Sequence, residues 1–479
     1  QQTVLFGLAA EEQSAIAKFM STLVGYVWNW PLIILCVGAG LTFTILTKGV
    51  QFRAFGHAID VIRGKYDHPD DHGEISHFKA LTSALSATLG LGNIAGVAVA
   101  ITAGGPGAVF WMWVIGFLGM SVKFVECTLS MKYRHEFADG HVGGGPMYTI
   151  ERGLGKGWSW MAILFAVLVT AASFGGGNMF QTNQSTALME YSFGVDPQIT
   201  GGVIAGLVAV VIIGGIKRIG TVTSLLVPVM VVAYMGGALL VIFMNAGKIP
   251  ETFGLIFSNA FSAEPLVGGT LGVVITQGVR RATFSNEAGL GSAAIAHAAA
   301  KTKQPVREGI VASLGPFIDT VVVCTITALL IIITGQYDLS GTEGMSSTLQ
   351  GSVVTARAFD STIDGFGTYF LPFAVLMFSI STVISWSYYG EKGVEYLARR
   401  LAGDGAIKGA VTLYRGLFCV AAYIGAVRGL DVVLNFSDAM LGLQAVPNLI
   451  ACFMLLPVIL KITKTYFKSL EAGEFKVYK

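Results

Sequence analysis

The sequence predicts an all-α integral membrane protein of eleven transmembrane helices: one extra N-terminal helix, then a five-plus-five inverted repeat with two broken helices. Three observations predict it. Apolar residues make up 53% of the chain and charged residues only 13%, about half the share usual in soluble proteins. Apolar segments long enough to cross ~30 Å of hydrocarbon follow one another without any polar linker that would divide domains. Two of them are interrupted by glycine-rich motifs, Gly90-Leu91-Gly92-Asn93 and Thr283-Phe284-Ser285-Asn286-Glu287-Ala288-Gly289-Leu290-Gly291.

The span 24–47 stands ahead of both motifs and is the extra helix. The spans 80–103, 107–131, 160–187, 199–216 and 221–244 form the first repeat, 80–244. The spans 266–299, 309–334, 367–389, 407–427 and 438–460 form the second, 266–460. Each repeat opens on its interrupted segment. Because five is odd, the second enters the membrane in the opposite sense, which makes the repeat inverted. Glycine supplies 61 of 479 residues, about 13% where ~7% is ordinary, and small residues let membrane helices approach closely. The whole is a single transmembrane domain.

The placement of charge sets the orientation. Of 31 Lys and Arg residues, the loops on one side hold 23, from Lys48 through Arg134, Arg218, Arg307 and Arg400 to Lys479. The other side holds Lys18, Lys248, Arg357 and Arg428. The positive-inside rule then puts the N-terminus outside and the C-terminus in the cytoplasm. The start Gln1-Gln2-Thr3, without Met, fits removal of a signal peptide and fits simple trimming equally well. Residues 8–20 have an amphipathic pattern suited to the outer membrane surface.

Catalytic classes find no support. The five cysteines lie in apolar spans without metal-ligand spacing, as small buried hydrophobes do. The seven histidines are scattered and no hydrolytic constellation forms. A channel would show a repeated filter or a ring of acids, and neither is present.

A broken helix in lipid survives only around a site or cavity, and two breaks in matching positions point to a transporter's binding site. In 80–103 the first half ends near Thr88 and Leu89, whose carbonyls face a cation such as Na⁺. The second half starts after Gly90-Leu91-Gly92, whose free N–H groups suit a carboxylate. Asn93 adds an oxygen at the same break. The second break is expected around 282–286, with Ser285 or Asn286 capping and Thr283 and Phe284 facing the cavity. Arg280, Arg281 and Glu287 are ionisable groups at membrane depth, costly unless paired; Glu287 reads as an acceptor for unwound backbone or for one Arg, or else as a proton or cation site. Lys123 and Glu126 read as a mutual pair. Asn178 and Gln181 share a face after Gly175–Gly177. Ser381, Thr382 and Trp386 lie on one face of 367–389, and the hydroxyls offer the oxygens a hard cation takes.

Thr88–Ala98, Gly104-Gly105-Pro106-Gly107 and Ala282–Ala293 together resemble the alanine/glycine:cation symporter family, the sodium:alanine symporters, over all eleven spans. The resemblance implies the inverted five-plus-five fold shared with neurotransmitter:sodium symporters. It implies transport of alanine, glycine or close relatives, D-alanine in some, with Na⁺ and occasionally H⁺. By that likeness Gly90 and Gly92 hold the substrate carboxylate, while Gln181, Thr283, Phe284 and Trp386 line the pocket. Ser381 and Thr382 form the shared sodium site, and Asn93 belongs to a second one. The expected partners are the amino acid and the lipid bilayer, with no nucleic acid, for a monomer in a bacterial inner membrane.

The orientation is directly testable. A reporter active only in the cytoplasm should work when fused after Lys479. Activity only from a fusion within 336–365 would reverse the assignment.

Overall fold

In a lipid interior the backbone must satisfy its own hydrogen bonds, so long apolar runs close into helices. The computed structural model describes residues 18–68, 70–137, 141–213, 215–262, 271–338 and 351–478. Most of the amphipathic stretch 8–20, the start of 266–299 and part of 336–365 lie outside them. Among the described residues, seven helices are long and apolar enough to cross a membrane, and up to nine if each bent pair counts as one span.

The longer elements are α1 (Trp30–Leu46), α2 (His77–Thr88), α3 (Val97–Gly104), α4 (Ala108–Tyr133), α5 (Ser159–Phe174), α6 (Phe180–Phe193), α7 (Pro197–Ile212) and α8 (Gly215–Met244). They continue as α9 (Leu271–Asn286), α10 (Ala293–His297), α11 (Pro305–Pro316), α12 (Thr325–Ile333), α13 (Phe366–Ala402), α14 (Ile407–Val427), α15 (Leu430–Met454) and α16 (Leu456–Glu471). Three wide π turns, Gly92–Gly96, Gly175–Met179 and Phe317–Cys324, join α3, α6 and α12 to what precedes them. The segments α2 and Gly92–Gly104 meet at a 51° bend. At 16 residues α7 is apolar but too short to count among those seven. The 37 residues of α13 run well past 389 into a charged end.

Packing pairs particular helices. The helix α4 lies along α11, α5 along α13 and α7 along α14, while α9 packs on α4. The four cysteines Cys36, Cys127, Cys324 and Cys452 are buried, Cys419 partly so, and all are free.

Two short strands, β1 (His135–Glu136) and β2 (Val142–Gly143), form a hairpin after α4. Just before β2, His141 faces Glu74 at 3.4 Å and Glu395 of α13 at 3.3 Å. Lys392 bonds both His141 and Glu395. The hydrogen bonds to Glu395 and Glu74 push the His141 pKa up to about 9, against partial burial and Lys392. A raised imidazole pKa contributes stability in full below about 6.5, and the contribution fades as pH passes about 9. His141→Gln should therefore be less stable than the parent at pH 6.5 and approach it at pH 9.5. Thermal unfolding in detergent at both pH values checks this; a gap independent of pH would contradict it.

Candidate functional site

The first break starts where α2 ends. Leu89 leaves helical geometry at φ −74°, ψ 76°, and Gly90 N–H donates to Thr88 O at 2.8 Å and to Asn93 Oδ1 at 3.1 Å. The chain then winds as the π turn Gly92–Gly96 into α3. Leu91 N–H donates to Gln181 Oε1 at 2.9 Å, and Gln181 Nε2 donates to Gly176 O at 2.8 Å. A neutral amide from α6 thus answers a loop donor that would suit an anion. A methyl at 90 would run into Thr382 Oγ1 and lie 2.9 Å from Gln181 Oε1. One at 92 would lie 3.2 Å from Phe284 Cδ1. Both glycines are needed for close approach.

The second break comes later than the motif suggested. Residues 282–286 form the last turn of α9, and the unwound stretch follows. It takes left-handed backbone at Glu287, Gly289 and Gly291, with φ 56°, 89° and 75°. Glycine tolerates that region without a Cβ penalty, which fixes the break at 287–292 rather than among Thr, Phe and Ser. Neither Ser285 nor Asn286 caps the second half, which starts at Ala293 after Ser292; Asn286 Oδ1 accepts from Ala288 N–H at 2.9 Å at the start of the unwound stretch instead.

The acceptor for this unwound backbone is Glu126, not Glu287. Glu126 Oε2 accepts from Gly289 N–H and Gly291 N–H, each at 3.2 Å, and from Asn448 Nδ2 at 2.9 Å. Lys123 lies 3.6 Å from its other oxygen, so the expected pair is part of a larger clamp. Glu287 accepts from Ser292 Oγ at 2.5 Å. Arg280 and Arg281 both bond Asp438 of α15, and neither reaches Glu287.

Between the breaks lies a cavity of about 10 Å³, room for about one water. Thr88, Gly92, Gln181, Phe284 and Trp386 are on its wall with Ala87, Gly176 and Leu441. Phe284 meets Phe180 edge to face with centroids 5.1 Å apart, and Trp386 meets Tyr389 likewise at 5.3 Å. Thr283 is buried but does not line this cavity. Asn178 stands apart as well: its Nδ2 donates to Phe418 O at 2.7 Å, fastening the Gly175–Met179 turn to α14. Sharing a face with Gln181 did not bring it to the cavity, because the π turn rotates residue 178 away from helical register.

Beside the cavity, Thr382 Oγ1 donates to Ser86 O at 3.0 Å. Ser86 Oγ meets Ser381 Oγ at 2.5 Å and donates to Ser381 O at 2.8 Å. The two hydroxyls of α13 thus sit against the last turn of α2, where helix carbonyls lose their partners. Ser381 and Thr382 are brought to the turn that ends at Thr88 and Leu89; Asn93 keeps its oxygen on Gly90 N–H and turns its amide nitrogen away to Asp319.

Asn93 faces Asp319, a residue the sequence reading passed over. Asn93 Nδ2 donates to Asp319 Oδ2 at 3.0 Å, Ser285 Oγ to Oδ1 at 2.6 Å, and Thr320 Oγ1 to Oδ1 at 2.8 Å. Among the described residues its hydrogen-bond donors are all neutral, and the three come from both broken segments and the Phe317–Cys324 turn. A single Asp in an apolar span was the available signal. Two histidines judged scattered also converge. His77 at the start of α2 and His297 at the end of α10 each bond one oxygen of Glu308. Only the fold joins residues so distant in sequence.

The sequence model of the sodium:alanine symporter family matches residues 13–479. This chain belongs to that family. It is a multi-pass membrane transporter and not an enzyme. A sodium/alanine symporter of Methanococcus maripaludis is 43% identical over 462 residues, spanning 96% of this chain and 99% of that one. An amino-acid carrier protein of Bacillus subtilis is 36% identical over 456 residues, spanning 95% and 93%. The structure of MhsT in complex with L-phenylalanine matches with TM-score 0.55 and 14% identity over 79% of this chain and 89% of that one. The last likeness concerns the fold alone.

If Gln181 guards the loop donor, its charge matters more than its size. Gln181→Glu should weaken amino-acid binding at least roughly tenfold, about 1.4 kcal/mol, while Gln181→Ala changes it less. Equilibrium binding of labelled alanine to the purified protein checks the order. The reverse order would remove Gln181 from the carboxylate's path.

Proposed function

We propose that this symporter imports small neutral amino acids, alanine and glycine and with them D-alanine, by coupling to Na⁺ in a bacterial inner membrane. The observation that carries the reading is the cavity between the two breaks, where Gln181 holds Leu91 N–H between the rings of Phe284 and Trp386. An amino-acid carboxylate replaces Gln181 Oε1 at the loop N–H groups beside Gly90 and Gly92. With room for about one water, the cavity must widen for substrate, and the aromatic walls leave little space beyond a methyl group. Overpacking costs ~1–3 kcal/mol, which excludes leucine, whereas one methyl is worth only ~0.8 kcal/mol, which separates alanine from glycine weakly.

Na⁺ as co-substrate fits the oxygens of Ser381 and Thr382 with the carbonyls around Thr88 and Leu89. Turning the Thr382 hydroxyl away from Ser86 O leaves both oxygens free for a hard cation. A second coupling cation fits Asp319 with Asn93 and Ser285, where a buried carboxylate held only by neutral donors calls for a positive partner. The alternative is the same fold coupled to H⁺ with Glu287 or Glu126 as carrier, and Asp319 is a third buried carboxylate for that role. One Na⁺ crossing 100 mV gains ~2.3 kcal/mol, and a tenfold gradient adds ~1.4; together they support roughly 500-fold accumulation.

The eleven-span reading, with 24–47 as the extra helix and 80–244 and 266–460 as inverted halves, belongs to the same proposal. It is supported by the pairing of α4 with α11, α5 with α13 and α7 with α14, each the counterpart of the other in the two halves. The N-terminus is then outside, the C-terminus cytoplasmic, and the unit a monomer.

Labelled alanine uptake into proteoliposomes at fixed pH, with and without an inward Na⁺ gradient, tests the core of this. Uptake should require Na⁺, with glycine competing, serine weaker and leucine without effect. Thr382→Val and Asp319→Asn should each raise the half-saturating Na⁺ concentration roughly tenfold or more, and Thr382→Ser should keep most of the function. Uptake driven by a pH gradient without Na⁺ would select the proton, and leucine competing as well as alanine would sink the small pocket.

A further inference from the structure

At the end of α1 the chain leaves the apolar span through Thr47, Lys48 and Gly49, and α16 packs beside it. Between them is a cavity of about 540 Å³. Four basic side chains line it, Lys48, Arg53, Lys464 and Lys468, against one acid, Glu471. All four are exposed, and none is among the ion pairs found in the described residues. The Arg53 guanidinium lies over the Phe467 ring, 4.4 Å from its centroid, a contact that restricts where its donor fork is presented. Thr463 also lines the cavity. It is 5% exposed, and its Oγ1 has no hydrogen-bond partner, although a buried hydroxyl ordinarily finds one.

None of these groups lines the cavity between the breaks. The place itself is informative. Leu46 and Leu460 line the same cavity as the four cations, and the neighbouring Ile45 is exposed on an apolar span. The cavity is therefore where hydrocarbon gives way to headgroups. A soluble anion would need only the cations; an apolar wall beneath them matches a molecule with a phosphate at one end and chains at the other. Basic pockets of this kind between membrane helices receive anionic headgroups.

We propose that this pocket binds the phosphate headgroup of an anionic phospholipid, with Lys48, Arg53, Lys464 and Lys468 on the phosphate, Thr463 Oγ1 donating to it, and Leu46 and Leu460 against the first acyl carbons. The lipid clasps α16 to the end of α1. The assignment is independent of which face of the membrane the pocket occupies.

Native mass spectrometry of the full-length protein in detergent tests it, with phosphatidylglycerol, phosphatidylcholine and inorganic phosphate offered separately. The parent should retain phosphatidylglycerol over phosphatidylcholine, and free phosphate at equal concentration should not displace it. At about fivefold per basic side chain, K464Q with K468Q should weaken retention roughly thirtyfold. Lys461→Gln, an exposed lysine on the same helix outside the pocket, should leave retention unchanged. Thr463→Val, which keeps shape and all charge, should weaken it measurably. Equal retention of both lipids, equal loss in Lys461→Gln, or full displacement by phosphate would each overturn the proposal, the last by making this a site for a free anion.

Discussion

The carboxylate of Glu126 on the backbone of the second break is the contact on which the rest of the site depends. Unwinding 287–292 frees amides that lipid cannot answer, and each buried donor left unpaired would cost about 1–3 kcal/mol. Glu126 answers two of them, and Asn448 and Gln444 hold the carbonyls of Gly289 and Leu290 at 2.9 and 2.8 Å. Charge-assisted bonds to N–H groups are stronger than neutral ones, so one acid on α4 does what a further helical turn would otherwise do. With that stretch held open, the last turn of α9 can present Phe284 to the cavity and Ser285 to Asp319.

The first break solves the same problem with neutral groups. Gly90 is answered by Asn93 and Leu91 by Gln181. A neutral acceptor is displaceable by a carboxylate in a way a second carboxylate is not. The contrast suits a division of labour in which the second break is held rigid and the first exchanges its partner for substrate.

Charge inside the bundle is placed with similar economy. Asp438 gathers Arg280 and Arg281, Glu308 gathers His77 and His297, and each acid joins elements that sequence separates. Asp319, like Glu287, draws its hydrogen bonds only from neutral donors among the described residues.

The sequence alone determined the membrane class, the helical content and the two interruptions, because hydrophobic run length and glycine act locally. The resemblance groups Gln181, Phe284 and Trp386 at one pocket and Ser381 with Thr382, and the structure sets the first three on the wall of one small cavity and the two hydroxyls against the last turn of α2. The tertiary structure decided what crosses between helices. It moved the second break past Asn286, because left-handed backbone follows Gly289 and Gly291 rather than the polar residues before them. It turned Asn178 toward α14 through a π turn that changes the helical register, and it gave the unwound amides to Glu126 and both arginines to Asp438. It also brought Asp319 to Asn93 and Ser285. Those partners are set by packing between distant segments, where no sequence period reports who faces whom.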